Sequence, residues 1–292
     1  MKYRPCGLIL VLTFIFLLPI EPALARNGDN FLWQVNSGHH NLYLMGSIHL
    51  AKPDLYPLDP CFEEAFADSE VLVVEADVTA VAQDKLQTWL LANGLYPPED
   101  SLEKHLSDKT KTKLAELDVD LAAINRFRPW LAAITIQTQK LNALGFNEKY
   151  GLDRYFLEKA SGRKKIKELE GMDAQLRIFQ RLSPADQELF LYSTLEELEN
   201  TAATIDRIIQ CWRSGDAAAF EKIFFRDYTS RPESQRLVRR VIFERNRKMQ
   251  ARIEKFLKTG PTHFVIVGAG HLVGAKGIVS GLKAKGYQVK QL

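Results

Sequence analysis

Two short runs, far apart in the chain, constrain its fold more than any other feature. Val71–Val74 is Val-Leu-Val-Val, and His263–Val267 is apolar at every position after its first residue. In both, apolar residues are consecutive rather than alternate. A strand of this kind carries apolar side chains on both faces and must be covered on both, as in the parallel sheets of α/β proteins. The chain between them supplies the cover. From about Val81 to Gly145 the apolar spacing is helical, broken at Tyr96-Pro97-Pro98, and Gly151–Ala160 reads as a short helix. Ser183 with Pro184 opens a helix running to about Arg213, and Pro232 opens another that Gly260-Pro261 closes. Strand signals flank this middle. Phe31–Val35 and Leu42–Met45 form a hairpin across Asn36-Ser37-Gly38-His39-His40, Lys164–Leu169 is a further strand, and the chain closes with a helix over Leu272–Lys285 and a strand over Tyr287–Leu292.

The first residues read as an address rather than as structure. Lys2 and Arg4 precede a 12-residue apolar run, Gly7 to Leu18, and Ala23-Leu24-Ala25 offers the small residues of a cleavage site. The run is shorter than the roughly 18–20 residues that span a bilayer. Residues 1–25 are therefore expected to be a signal peptide and residues 26–292 a single exported domain, periplasmic or secreted, with no integral membrane association after cleavage. The full chain's net charge of only +3, from 39 Lys+Arg against 36 Asp+Glu, calls for no nucleic-acid partner. Cys6 leaves with the leader. For an exported chain the two remaining cysteines, Cys61 and Cys211, are expected to form a disulfide, since neither has a second Cys or a His at metal-ligand spacing.

The chemistry collects where strands stop. Gly46-Ser47-Ile48-His49 follows Leu42–Met45, Glu75 follows Val71–Val74, and Gly268-Ala269-Gly270-His271 follows His263–Val267. Parallel strands deliver their carboxyl ends to one edge, where open α/β sheets bind ligands. Taken singly, each His is an ordinary loop residue and each Gly an ordinary turn residue. The recurrence of Gly-x-x-His after two apolar strands points to a shared site. Two imidazoles and a carboxylate suit a divalent transition metal with open positions for water and substrate. Without a metal the same groups suit an acid/base pair in which Glu75 orients a His. The amides of Gly46, Gly268 and Gly270 are candidates to hold an anion or substrate oxygen. A dinucleotide fingerprint does not fit, because the third glycine, Gly274, comes one place late. No Gly-x-Ser-x-Gly accompanies Ser47, and His39-His40 lies in a hairpin loop. The basic stretch Arg236–Lys258 has apolar residues at helical spacing and reads as a solvated helix face, Arg245-Asn246 excepted.

At these positions the chain resembles the TraB/GumN family, which includes the Tiki proteins and is related in fold to the erythromycin esterase (EreA) and ChaN-like proteins. The resemblance is carried by Leu42-Tyr43-Leu44-Met45-Gly46-Ser47-Ile48-His49, Val73-Val74-Glu75, Gly151-Leu152-Asp153, Leu169-Glu170, Arg245-Asn246 and Val267-Gly268-Ala269-Gly270-His271. It implies an α/β fold: a mixed sheet with parallel central strands, flanked by helices, with a large helical insertion at about residues 80–260. It further implies a Tiki-like metalloprotease dependent on manganese or cobalt, zinc being the alternative. His49, Glu75 and His271 would then hold the metal, with Arg245 and Asn246 as substrate or transition-state contacts. The substrate would be a peptide or a small molecule. The competing expectation from the same fold group is a non-enzymatic exported protein that holds haem or another ligand in the same crevice.

Mass spectrometry of the protein exported by its native host is expected to show Arg26 at the N-terminus. An intact Met1 on soluble cytoplasmic protein would contradict the leader.

Overall fold

The computed structural model describes residues 29–80, 82–225, 232–258 and 260–292, so the expected leader lies outside the described residues. Six strands form one mixed sheet: β1 (Leu32–Asn36), β2 (Asn41–Ser47), β3 (Val71–Val74), β4 (Lys165–Glu168), β5 (His263–Gly268) and β6 (Gln288–Gln291), in the order β4-β3-β5-β2-β1-β6. The strands β4, β3, β5 and β2 are parallel neighbours. β1 returns antiparallel to β2 through the expected hairpin, and β6 pairs antiparallel with β1 at the edge. The consecutive apolar runs occupy the middle: every residue of β3 and β5 is buried.

The helix α1 (Pro60–Asp68) links β2 to β3. Its start is written in Asp59, whose carboxylate accepts from the Cys61 amide at 3.0 Å, and in Pro60 at the first helical position. After β3 come α2 (Gln83–Asn93), α3 (Asp108–Glu116), α4 (Leu121–Ile124) and α5 (Pro129–Ala143), then α6 (Leu152–Ala160), which leads into β4. Beyond β4 lie α7 (Met172–Gln180), α8 (Pro184–Glu197), α9 (Thr201–Arg213), α10 (Ala217–Phe224) and α11 (Pro232–Val238). A π-helical stretch, Arg239–Phe243, then joins α11 to α12 (Glu244–Phe256), and α13 (Ile278–Ala284) lies between β5 and β6.

Two apolar clusters follow from this layout. The main one joins the sheet to Phe62 and Phe66 of α1, Phe156 of α6, Met249 and Ile253 of α12 and Leu282 of α13. The second lies within the helical insertion, where Leu114, Ile124, Ala132, Ile136, Leu191 and Leu195 pack together. The insertion is not continuous, because β4 returns to the sheet in its midst. No helix among the described residues is long and apolar enough to cross a membrane.

Three expectations need correction. The helix foreseen over Ser183–Arg213 is two, because its halves bury their faces in different places: Leu191 and Leu195 of α8 in the insertion cluster, Trp212 of α9 in the main cluster. Tight turns from Leu195 to Leu198 and from Glu197 to Asn200 separate them. The helix foreseen over Leu272–Lys285 begins only at Ile278, since Gly274 takes φ +82°, a conformation no helix contains. The Cys61–Cys211 bond is not made, and both thiols are free. Contact between α1 and α9 is instead made by the neighbouring rings of Phe62 and Trp212, stacked at 5.3 Å. Burial, with Asp59 beside it, pushes the Cys61 thiol up to about 12.

Ile266 lies at the centre of β5 with no exposed surface. Ile266→Ala is expected to lower the unfolding free energy by about 2–5 kcal/mol, read from denaturant midpoints.

Candidate active site

Strand register brings the motif residues together. In β2 and β5, Ser47 pairs with Gly268, and in β3 and β5, Val74 pairs with Ile266, so the three strands end almost level. Glu75 is the first residue past β3, His49 lies two past β2, and His271 closes the short 3₁₀ turn Ala269–His271 that follows β5. Their side chains meet over Gly268. A Cβ built on that glycine would stand 3.1 Å from His49 Nε2, 3.4 Å from Glu75 Oε1 and 3.5 Å from His271 Cδ2. Any larger residue at 268 would therefore fill the space between the three groups. His271 Nε2 and Glu75 Oε1 are 3.7 Å apart.

Each ring is held by its other nitrogen. His271 Nδ1 faces Asn246 Oδ1 at 2.6 Å, while Asn246 Nδ2 donates to the Lys276 carbonyl at 2.9 Å. A carbonyl only accepts, so it fixes which end of the amide meets the ring. His271 must then carry its proton on Nδ1, leaving a lone pair on Nε2 directed at the site. Burial pushes His271 down to about 4, so the ring is neutral at ordinary pH. His49 Nδ1 is bonded to Asp153 Oδ2 at 2.7 Å. The Asp153 carboxylate raises the imidazole well above its ordinary value, tempered by solvent because the side chain is 56% exposed. Asp153 is held low in turn: burial opposes ionisation, but His49 and the Ser47 hydroxyl outweigh it.

Glu75 is the most heavily bonded group. Its Oε1 accepts the Gly268 amide at 2.6 Å, and its Oε2 accepts Gln175 Nε2 at 2.9 Å and an Arg245 amino group. Burial pushes the carboxyl up, yet His271, Arg245, His49 and the Gly268 amide together hold it below the usual carboxylate range. Arg245 reaches it from the first turn of α12, just after the π-helical stretch, and bridges to Glu170 Oε2 through Nε at 2.9 Å. Glu170 is brought there because its backbone amide donates to the Glu75 carbonyl at 2.9 Å.

The sequence-derived residues divide accordingly. His49, Glu75 and His271 converge. Arg245 and Asn246 are tied to Glu75 and His271, where they support those side chains. Of the three glycines, Gly268 spends its amide on Glu75, and the amide of Gly46 is taken by the Phe31 carbonyl while its own carbonyl accepts Trp212 Nε1. Gly270 leaves room for the Phe224 ring, which lies where its Cβ would be. In the hairpin loop His39 is exposed and His40 half-buried.

Sequence reasoning assigned no role to Asp153, Glu170 or Gln175. Glu170 had a signal, since it comes two residues after β4, near the edge where Glu75 directly follows β3. Asp153 projects from a helix and was marked only by the Gly151-Leu152-Asp153 stretch of the family resemblance, while Gln175, also on a helix, had no signal.

The donors suit a divalent ion chemically. Two groups about 2.0–2.2 Å from one ion stand at most about 4.4 Å apart, which the His271–Glu75 separation satisfies. Among the described residues, however, no group of three His, Cys, Asp or Glu side chains already stands at ligand positions around one point.

This crevice, on a mixed sheet with paired Gly-x-x-His turns, belongs to a recognised class of protein. The TraB/PrgY/gumN family matches the chain over residues 31–291, and the chain is a member of that family. Among particular relatives, it is 25% identical over 197 residues to the uncharacterized protein YbaP of Escherichia coli (strain K12), covering 64% of this chain and 71% of YbaP. The YbaP protein of Shigella flexneri matches to the same extent. A "Metalloprotease TIKI homolog" of Amphimedon queenslandica is 22% identical, with 99% of this chain and 68% of that protein covered. No solved structure matches the chain significantly.

Arg245→Met removes the cation shared by Glu75 and Glu170, whose side chains are only 6% and 8% exposed. The expected cost at neutral pH is about 3–5 kcal/mol of stability, because two buried carboxylates lose their partner. The sign with pH follows from Glu75. Its lowered value in the wild type contributes stability above the unfolded carboxylate range, which is lost as pH falls through the folded value. Without Arg245 the carboxyl is no longer held as low, so the gap between variant and wild type should narrow on acidification. Urea midpoints across the acidic range check this, and a gap that widens as pH falls would contradict the assignment.

Proposed function

We propose that this chain is an exported, metal-dependent hydrolase acting on a peptide or related bond, with His49, Glu75 and His271 holding the ion. The observation that carries the reading is the convergence of His49 Nε2, Glu75 Oε1 and the His271 ring over the side-chain-free Gly268, with His271 Nε2 3.7 Å from Glu75 Oε1 and each ring engaged at its other nitrogen. That pattern of outer partners is the usual support of metal-bound histidines. Charge supports it as well. Glu75, Glu170 and Asp153 bring three carboxylates against the single guanidinium of Arg245, an excess of two negative charges once His49 gives up its proton. A divalent cation offsets that excess.

When bound, such an ion acidifies a water and polarises a scissile carbonyl. The protein's own groups have distinct parts around it. His271 presents a lone pair that burial keeps unprotonated. Arg245 and Gln175 fix Oε2 of Glu75, so the carboxylate cannot rotate away, and Oε1 is the atom that would be offered to an ion. His49 is the exposed member and the one open to solvent. The name of the Amphimedon queenslandica relative supports a peptide bond as the target, and the family resemblance favours manganese or cobalt over zinc. The charged start and short apolar run of the leader support a periplasmic or secreted location.

The test is calorimetric titration of metal-depleted residues 26–292 with Mn²⁺, Co²⁺ and Zn²⁺, followed by peptide-library cleavage with the preferred ion. His271→Ala and Glu75→Gln are expected to weaken binding at least by the roughly 10–100-fold seen for loss of outer-shell partners, and to abolish cleavage. A wild-type protein that binds none of these ions overturns the reading. A haem Soret band in protein purified from the native host would favour ligand carriage instead.

A further inference from the structure

We infer that Gly151-Leu152-Asp153 is a clamp that sets the ring of His49, with Asp153 as its positioning residue. The purpose of the clamp rests on the metal site proposed above, but its geometry does not. Three contacts run from this segment onto the turn after β2. The Leu152 amide donates to the Ile48 carbonyl at 3.1 Å. Gly151 lies so close to the His49 carbonyl that a Cβ there would collide with it, so only glycine allows the first turn of α6 to approach this near. Asp153, 8% exposed, then accepts from both Ser47 Oγ and His49 Nδ1 on the same oxygen, Oδ2. Leu152 has no exposed surface and anchors the segment in the main core.

The consequence concerns one ring. His49 is the most exposed of the three converging side chains, and packing alone does not hold an exposed imidazole. Which nitrogen carries the proton, and which way the ring faces, is set by the partner of the other nitrogen. Asp153 accepts at Nδ1, so Nε2 is the atom turned toward Gly268. Asn246 performs the same service for His271 from a different helix and with a neutral amide. The short motif is thus explained residue by residue: glycine for approach, leucine for anchorage, aspartate for orientation.

The experiment reads the tautomer directly. The chain has six histidines, and nitrogen-15 NMR of their side chains, recorded at a pH where the rings are neutral, resolves them once His49 is assigned by its absence in His49→Ala. In the wild type, His49 should carry its proton on Nδ1. Asp153→Ala should release it to Nε2, whereas Asp153→Asn, which keeps an accepting oxygen as Asn246 does, should retain the Nδ1 proton. Asp153→Ala should also weaken Mn²⁺ binding by about 10–100-fold. A wild-type His49 protonated on Nε2 overturns the clamp without recourse to any variant, as does an Asp153→Ala protein with unchanged tautomer and unchanged Mn²⁺ affinity. An Nδ1 proton on His49 in a wild-type protein that binds none of Mn²⁺, Co²⁺ and Zn²⁺ supports the clamp while refuting the metal site.

Discussion

The parallel pairing of β5 with β2 on one side and β3 on the other is the constraint from which the rest follows. Parallel neighbours cannot be joined by a tight turn, so long crossovers are obligatory, and the helices that form them are the cover that strands buried on both faces require. The same pairing sends three carboxyl ends to one edge, in a register that leaves Ser47 beside Gly268 and Val74 beside Ile266. Two imidazoles and a carboxylate then have nowhere to go but the space above one residue, and that residue must be glycine for the space to exist.

Burying so much charge is costly unless each group is paired. The pairing here is nested. Glu75 receives a backbone amide on one oxygen and a side-chain amide and a guanidinium on the other; Arg245 divides itself between Glu75 and Glu170; Asp153 receives a hydroxyl and an imidazole. Helices from the discontinuous insertion supply three of these partners, Gln175 from α7, Arg245 from α12 and Asp153 from α6. The insertion is therefore more than cover for the sheet. It also carries the partners that keep the strand-end residues in place.

What the sequence revealed, and what it withheld, follows from how each residue is positioned. The central strands, the hairpin and β4 announce themselves through local runs of apolar or alternating residues, and the residues at their ends could be located by counting. Glu75, His49 and His271 were legible for that reason, and Glu170 would have been by applying the same rule to Lys164–Leu169. Asp153 and Gln175 reach the site from helix surfaces, where one-dimensional periodicity says which face is apolar but not what that face will meet. The divided helix at residues 198–200 escaped because its apolar spacing continues while its neighbours change from α5 to the main core. The free thiols of Cys61 and Cys211 show the limit of compositional argument: export makes pairing plausible, but the contact between their helices is taken by Phe62 and Trp212.

The two histidines share a motif but not an environment, and the difference has chemical content. His271 is 5% exposed, has a neutral partner and is held neutral by burial, so it offers a lone pair at any ordinary pH. His49 is largely exposed and has a charged partner, which favours a proton on the ring until something more attractive than the proton arrives at Nε2. A cation entering the crevice would displace that proton, whereas at His271 there is none to displace. For the ion proposed above, binding would thus release a proton at His49, the ring nearest solvent, and none at His271.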